Sequence, residues 1–359
     1  QVKVSAVNKV IVIYGNSGKI TINGTHDIET TTSGTGVYLT NGTYLTGGKV
    51  TVKNNTTGTA AAGVYYTKGT ASSQVTHDTD IDVTTGDNAL ALYADDGIDL
   101  KNAKTITVDG GQDNVGVFVT KASKFTNDNT INVGSSSSTI TNGLGVYVAD
   151  GEATNTAGKT IEIYDRNNVG GSSLSVGMLA KAALGKSAKI ENAGNINVNG
   201  EAVGMNIDDN STGINSGNIT ANENNNLKAI GAHVNGANAK FTNSGTISTD
   251  NIVLALKSTT ATKITNSGTL KLTKTGAVGV YADDSIVDFN IAPTVATGAD
   301  GTVALYATGN TKIKSQITSA TGKSHIGVYA EGNAEFQSGS KVIVGNGVGH
   351  EYRLGTYTK

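Results

Sequence analysis

Gly116-Val117-Phe118-Val119 is followed 29 residues later by Gly145-Val146-Tyr147-Val148. Farther along, Gly279-Val280-Tyr281-Ala282 is followed by Ala304-Leu305-Tyr306-Ala307 and Gly327-Val328-Tyr329-Ala330. The same pattern stands at Gly36–Leu39, Gly63–Tyr66, Ala91–Ala94, Gly177–Ala180, Gly204–Ile207, Gly231–Val234 and Val253–Leu256, twelve occurrences in all. The steps between them range from 22 to 32 residues, with a mean of about 26.5. Each period holds two further apolar slots. One contains Phe125, Ile190, Ile214, Phe241, Ile264, Phe289, Ile313 or Phe336; the next alternates with period two, as in Ile131/Val133, Ile196/Val198 and Leu270/Leu272. Between the two slots recur Asn192-Ala-Gly194, Asn215-Ser-Gly217, Asn243-Ser-Gly245 and Asn266-Ser-Gly268. Asn and Gly accept positive φ cheaply, so these read as turns.

Three short strands and three turns in about 26 residues make one coil of a parallel β-helix. No segment holds a 3.6-residue apolar period for three turns, which excludes helical solenoids. Met178–Leu184 has a helix-like composition but falls in a strand slot. Left-handed hexapeptide helices and propeller blades have other periods. The expected fold is an all-β parallel β-helix of about twelve to thirteen coils, a single solenoid over 1–359. At a strand spacing of about 4.8 Å it would form a rod on the order of 55–60 Å long. The tail has no amphipathic helix to cap it, so the natural polypeptide is expected to continue.

Within the recurring strand the second and fourth residues are apolar throughout. The third is Tyr38, Tyr65, Tyr93, Phe118, Tyr147, Leu179, Asn206, His233, Ala255, Tyr281, Tyr306 and Tyr329. Asn206 and His233 in that column point it outward, because an unpaired polar core group is costly. Eight of the chain's 18 aromatic residues then share one surface column. Such a column is either a stabilising ladder, contributing about 0.5–1 kcal/mol per pair, or a rail for sugar rings or a partner protein. The turn leading to the next coil's first strand is longest at Gly134–Gly143, Tyr164–Gly171 and Ala221–Asn226. Insertions at one turn emerge along one edge, often the binding edge. Tyr164, Asp165 and Arg166 supply interface-favoured side chains there, and Asn224 and Asn225 lie in the third insertion.

The chain of 359 residues has 47 Gly, one Pro, no Cys and no Trp. Net charge is −2, which disfavours a basic nucleic-acid binder. Lack of Cys excludes disulfides, thiolate metal sites and a cysteine nucleophile. No apolar run is long enough for a membrane-spanning helix. Catalysis is not expected. A glycosidase needs two carboxyl groups about 5–9.5 Å apart. Asp95-Asp96, Asp208-Asp209 and Asp283-Asp284 instead read as solvated turn acids on distant coils. A lyase would need a calcium cluster and a basic group, and only Arg166 and Arg353 are arginines. The five His (26, 77, 233, 325, 350) show no metal-ligand spacing and read as surface residues. No metal or cofactor is expected.

Gly-Val-Tyr-Ala-(Asp/Glu) combined with Asn-Ser-Gly-Thr-Ile or Asn-Ala-Gly-Asn-Ile-Asn-Val resembles the passenger region of bacterial type V autotransporters. It is most similar to the large fusobacterial (RadD-type) outer-membrane adhesins, over nearly all of 36–345. The resemblance implies a right-handed β-helix, export through the outer membrane as an unfolded chain, and display on the bacterial cell surface. A C-terminal membrane β-barrel, outside this stretch, would provide the membrane attachment. It also implies adhesion: a host cell-surface receptor (protein or glycan) or a partner bacterium. A passive stalk presenting a distal tip and a polysaccharide-active enzyme are the alternatives. The family carries no shared binding motif onto these positions. The candidate binding residues are therefore Tyr164, Asp165, Arg166, Tyr147, Phe118, Tyr93, Tyr281, Tyr306, Tyr329, Asn224 and Asn225.

Overall fold

A parallel strand satisfies its backbone only by lying beside another strand of the same direction. A strand motif that returns about every 26 residues therefore stacks on its own copies. A computed structural model of the chain shows this stacking. It describes residues 2–3, 10–23, 27–31, 34–53, 61–135, 137, 140–165, 174–222, 228–258, 263–320, 324–343 and 354–358. The chain forms two compact units, Gln1–Ile196 and Asn197–Lys359. Each is a parallel β-solenoid. Together they count about eleven turns with a period of about 26 residues, and the described residues contain no helix. Motif counting runs slightly higher, because a motif needs one strand and a turn needs three.

In the first unit the recurring strands are Ile11–Asn16, Thr35–Thr40, Ala62–Thr67, Leu90–Asp95, Val115–Val119, Leu144–Val148 and Ser175–Ala180, stacked in that order. In the second unit they are Ala202–Ile207, Ile230–Asn235, Ile252–Lys257, Val278–Asp283, Val303–Thr308, Ile326–Ala330 and Leu354–Thr358. Register is exact at the column: Tyr65 faces Tyr93, Phe118 faces Tyr147 and Tyr281 faces Tyr306. The residues on either side of the column, such as Val117 and Val119, are buried. The column gains Tyr14 in the first unit and Tyr357 in the second. The pattern hid both, because Gly15 and Thr358 stand where an apolar residue is expected. A Cβ on Gly15 would collide with Ile20, Leu39 and Thr43, whose side chains fill that space.

The second and third strands of each coil form the remaining walls. In the first unit these include Asp99–Asn102, Ser123–Asn127 and Gly151–Asn155, then Ile106–Val108, Thr130–Val133 and Thr160–Asp165. Two coils run both without a break, as Tyr44–Lys53 and Val75–Thr85. Two proposed core slots are corrected. Ile214 is half-exposed, because its strand sets Gly213 opposite Phe241 and leaves the inward space to that ring and Ile207. Phe336 pairs with Ile313 yet keeps 41% of its surface exposed.

The recurring Asn-x-Gly turn has a different cause from the one its composition suggests. Asn192, Asn215, Asn243 and Asn266 do not have positive φ, and neither do Gly245 and Gly268. The Asn side chains point inward, and all but the half-exposed Asn266 are buried. In the first unit Asn102 Nδ2 donates to Asn127 Oδ1 (3.0 Å), Asn127 to Asn155 (2.9 Å) and Asn155 to Asn192 (2.9 Å). In the second unit Asn215 donates to Asn243 (2.8 Å) and Asn243 to Asn266 (2.7 Å). The second N–H of Asn102 and Asn127 goes to a backbone carbonyl of its own turn, Lys104 O and Asn129 O. Each amide is thus satisfied inside the wall, which removes the penalty for burying it. Gly268 is required by close approach: a Cβ there would overlap the carbonyl oxygen of Gly245.

At the coil of Val75–Thr85 the ladder position is occupied by His77, which faces Asn102 in register. His77 is fully buried, not on the surface as its sequence context suggested, and His325 is likewise buried against Thr302 Oγ1 at 2.8 Å. His26 and His350 lie outside the described residues. Tyr66, also fully buried, places its hydroxyl 3.1 Å from His77 Nδ1. His77 Nε2 has no hydrogen-bond partner. Burial disfavours the imidazolium and lowers the His77 pKa to about 4. Burial likewise raises the Tyr66 pKa.

Two outcomes follow from these buried groups. Asn127→Ala would strand the Asn102 donor and the Asn155 acceptor and should cost about 2–4 kcal/mol in urea unfolding, against under about 0.5 for the outward Thr126→Ala. For His77 the folded pKa lies below the unfolded value, so the unfolded chain binds the extra proton. Its stabilisation is complete above about pH 6.5 and is lost as pH falls toward 4, with an upper bound of about 3 kcal/mol. His77→Asn, which restores the ladder residue, should flatten thermal stability across that window relative to the wild type.

Candidate functional site

The aromatic column is built by register alone, since equal positions on successive parallel strands stand about 4.8 Å apart. In the first unit Tyr14, Tyr38, Tyr65 and Tyr93 stack nearly parallel, with centroids 5.7, 4.9 and 4.4 Å apart and interplanar angles of 17°, 12° and 10°. Phe118 then turns edge-on to Tyr93 (5.1 Å, 66°), and Tyr147 tilts against it (4.9 Å, 55°). In the second unit Tyr281, Tyr306 and Tyr329 form a shorter stack at 5.5 and 4.7 Å. Below it in the column stand Ala255, His233 and Asn206, with His233 Nδ1 3.2 Å from Asn206 Oδ1.

Apart from Tyr14, these rings are half-buried. In the parallel run, Tyr38 and Tyr65 are covered on both faces by neighbouring rings, so they present edges to solvent. A sugar ring stacks on an open aromatic face, and Tyr38 and Tyr65 have none to offer. Tyr14, at the end of its stack, keeps 60% of its surface exposed. The ladder reading of the column therefore gains over the rail reading in the first unit.

The turn acids after the column are engaged. Asp95 is buried and accepts hydrogen bonds from the Tyr65 hydroxyl and from Lys121 Nζ at 2.9 Å. Burial and the Asp95 hydrogen bond raise the Tyr65 pKa, and the Asp95 hydrogen bond raises that of Lys121. Asp209 and Asp284 each accept a backbone N–H from the next coil's turn, Asn238 N and Asn310 N, at 2.8 and 2.9 Å. Asp283 accepts from Thr308 Oγ1 (2.9 Å) and Asp208 from Asn235 Nδ2 (3.2 Å). These acids stitch coil to coil, and the solvated-turn reading is corrected for Asp95.

The insertion edge is more tightly anchored than its sequence suggests. Asp165, proposed as a contact residue, is fully buried. It ends the alternating strand Thr160–Asp165 on an inward position, where its Oδ2 accepts the Ser175 N–H. Tyr164 is half-exposed beside it. Arg166, Asn224 and Asn225 lie outside the described residues. In the first insertion Ile140 is buried, and Ile140–Thr141 pairs with Gly111–Gln112. The candidate residues therefore fall into separate groups: two ring stacks, one in each unit, and Tyr164–Asp165 in the first.

One concave feature was missed. A hollow of about 460 Å³ lies beside Asn41, Tyr44 and the turn Thr70–Thr76. The sequence signal was available: Lys68–Gln74 is a longer turn than Thr40–Thr43 before it or Asp95–Ile98 after it.

The column is tested by Tyr93→Ala, which removes contacts to both Tyr65 and Phe118. It should lower stability by about 1–3 kcal/mol in chemical unfolding, while Tyr93→Phe should stay within about 0.5 kcal/mol.

No curated protein and no solved structure matches the chain. A family model, the BigA third pectate lyase-like domain, matches residues 2–236, well over half of the chain. The chain belongs to the BigA third pectate lyase-like domain family.

Proposed function

We propose that the chain is a segment of a bacterial cell-surface adhesin that attaches to host cells or to other bacteria by non-covalent receptor binding. The observation that carries this reading is family membership over 2–236, which fits a surface protein of the adhesin type. The finer parts belong to the same proposal: export as an autotransporter passenger, kinship with the fusobacterial (RadD-type) adhesins, and anchoring through an outer-membrane barrel. A non-catalytic role is also proposed. It is supported by the commitment of Asp95, Asp209 and Asp284 to structural hydrogen bonds.

The passive-stalk reading is favoured by one observation. Side chains offered as anchors are used internally: Asp165 is buried, and the faces of Tyr38 and Tyr65 are covered by other tyrosines.

Attachment of the fluorescently labelled chain to epithelial cells and to bacteria separates the two. Saturable binding is expected. Trimming 135–138, 166–173 and 223–227, while keeping the buried Ile140 and Asp165, should reduce it about tenfold if the insertion edge carries the contact. Undiminished binding of the trimmed chain would remove the insertions as the site. Failure to bind any cell would leave the stalk.

A further inference from the structure

We propose that the hollow beside Tyr44 binds a neutral saccharide. This deepens the adhesin reading and rests on it for biological purpose, though not for the chemistry of the site. In a solenoid whose turns are matched in length, neighbouring coils leave a smooth edge. Here the turn Lys68–Gln74 outreaches the turns on both sides, and a hollow opens on each flank. The larger, about 460 Å³, falls within the roughly 300–1,000 Å³ of small-ligand sites. The smaller, about 180 Å³, lies toward Gly97 and Asp99.

The long turn is held in place. Asn41 Oδ1 accepts both the Thr70 N–H (2.7 Å) and the Thr70 hydroxyl (3.1 Å), and the Asn41 amide donates to Asn16. At the other end Gln74 Nε2 donates to Asp99 Oδ1 at 2.8 Å. The walls are thus fixed before any ligand arrives, which limits the ordering cost of binding.

The lining has the chemistry of a sugar site. A saccharide presents apolar C–H faces ringed by hydroxyl groups, and it is recognised by an aromatic face plus neutral donors and acceptors. Tyr44 is 38% exposed, one of the few large apolar side chains that is exposed. Lys19, in register with Tyr44 on the preceding coil, stands over its ring at 5.8 Å. The hollow is walled by Thr70–Thr76 of the following coil. Among the described residues, the Ser72 and Ser73 hydroxyls and Gln74 Oε1 make no hydrogen bond and are free to meet a ligand. No lining side chain is an acid or a base of the Asp, Glu, Lys, Arg or His type. The lining itself offers an anion no cation and a metal ion no carboxylate; Lys19 engages the Tyr44 ring rather than lining the hollow, so the walls favour an uncharged, hydroxyl-rich ligand.

The test is saturation-transfer NMR and calorimetry on the whole chain. The probes are a panel of neutral methyl glycosides (hexosides, N-acetylhexosaminides and 6-deoxyhexosides), with a sialoside as the acidic control. At least one neutral glycoside should bind. Tyr44→Ala should weaken it about tenfold, and Tyr44→Phe should keep it, because the stacking face survives. Ser72→Ala with Ser73→Ala, on an exposed turn, should weaken it with no change in thermal midpoint, which guards against a folding defect of Tyr44→Ala. Absence of binding by every neutral glycoside, binding by the sialoside alone, or binding untouched by both sets of variants would each overturn the proposal. The same variants in the cell-attachment assay keep the two readings apart. Cells that attach equally well to all variants, with no glycoside bound, overturn the hollow and leave the adhesin. Glycoside binding that follows the variants, without cell attachment, upholds the hollow and overturns the adhesin.

Discussion

A side chain that hydrogen-bonds to its own copy one turn away constrains everything else in a solenoid. The buried asparagines do this. Each amide gives one N–H to the next rung and, at Asn102 and Asn127, the other to its own turn. Such a bond forms only if successive coils are in register, so the ladder sets the phase of each strand relative to the next. The apolar residues supply most of the burial energy. They are poor register keys, because Val, Ile, Leu and Ala exchange freely in the same slot. Polar groups that must be satisfied discriminate more sharply.

Once register is set, the outer surface follows without further specification. Residues that alternate with the core line up in columns, and a column of tyrosines becomes a stack. The same geometry that makes the stack withdraws its faces from solvent. The turns behave differently. Turns on successive coils pin one another through Asp and Asn side chains that accept the next coil's backbone N–H, as Asp209, Asp284 and Asn41 do. Variety enters only where a turn is longer than its neighbours, as at Lys68–Gln74.

Family membership agrees with this division of labour. A pectate lyase-like coil is a scaffold on which sites are grafted, and fold by itself does not carry chemistry. The acids that invited an enzymatic reading are absorbed by the scaffold. The hollow at Tyr44 has no carboxylate among its lining residues.

Much of this was legible in the chain itself. A period near 26 residues, apolar residues at alternating positions and turn residues between them determine parallel coils and the outward column, because both are consequences of repeat length and the two-residue pleat. Which polar residues go inside was not legible. Asn192 and Asn243 looked like turn formers, and His77 like a surface residue, because single-residue preferences do not register a partner one coil away. Asp165 and Ile140 sit in insertions whose composition is that of loops, yet tertiary packing buries both. The hollow beside Tyr44 arises from the difference between two turns that are distant in sequence and adjacent in space. Sequence repeats determine what is common to every coil; only the stacked structure decides what the unequal coils do to one another.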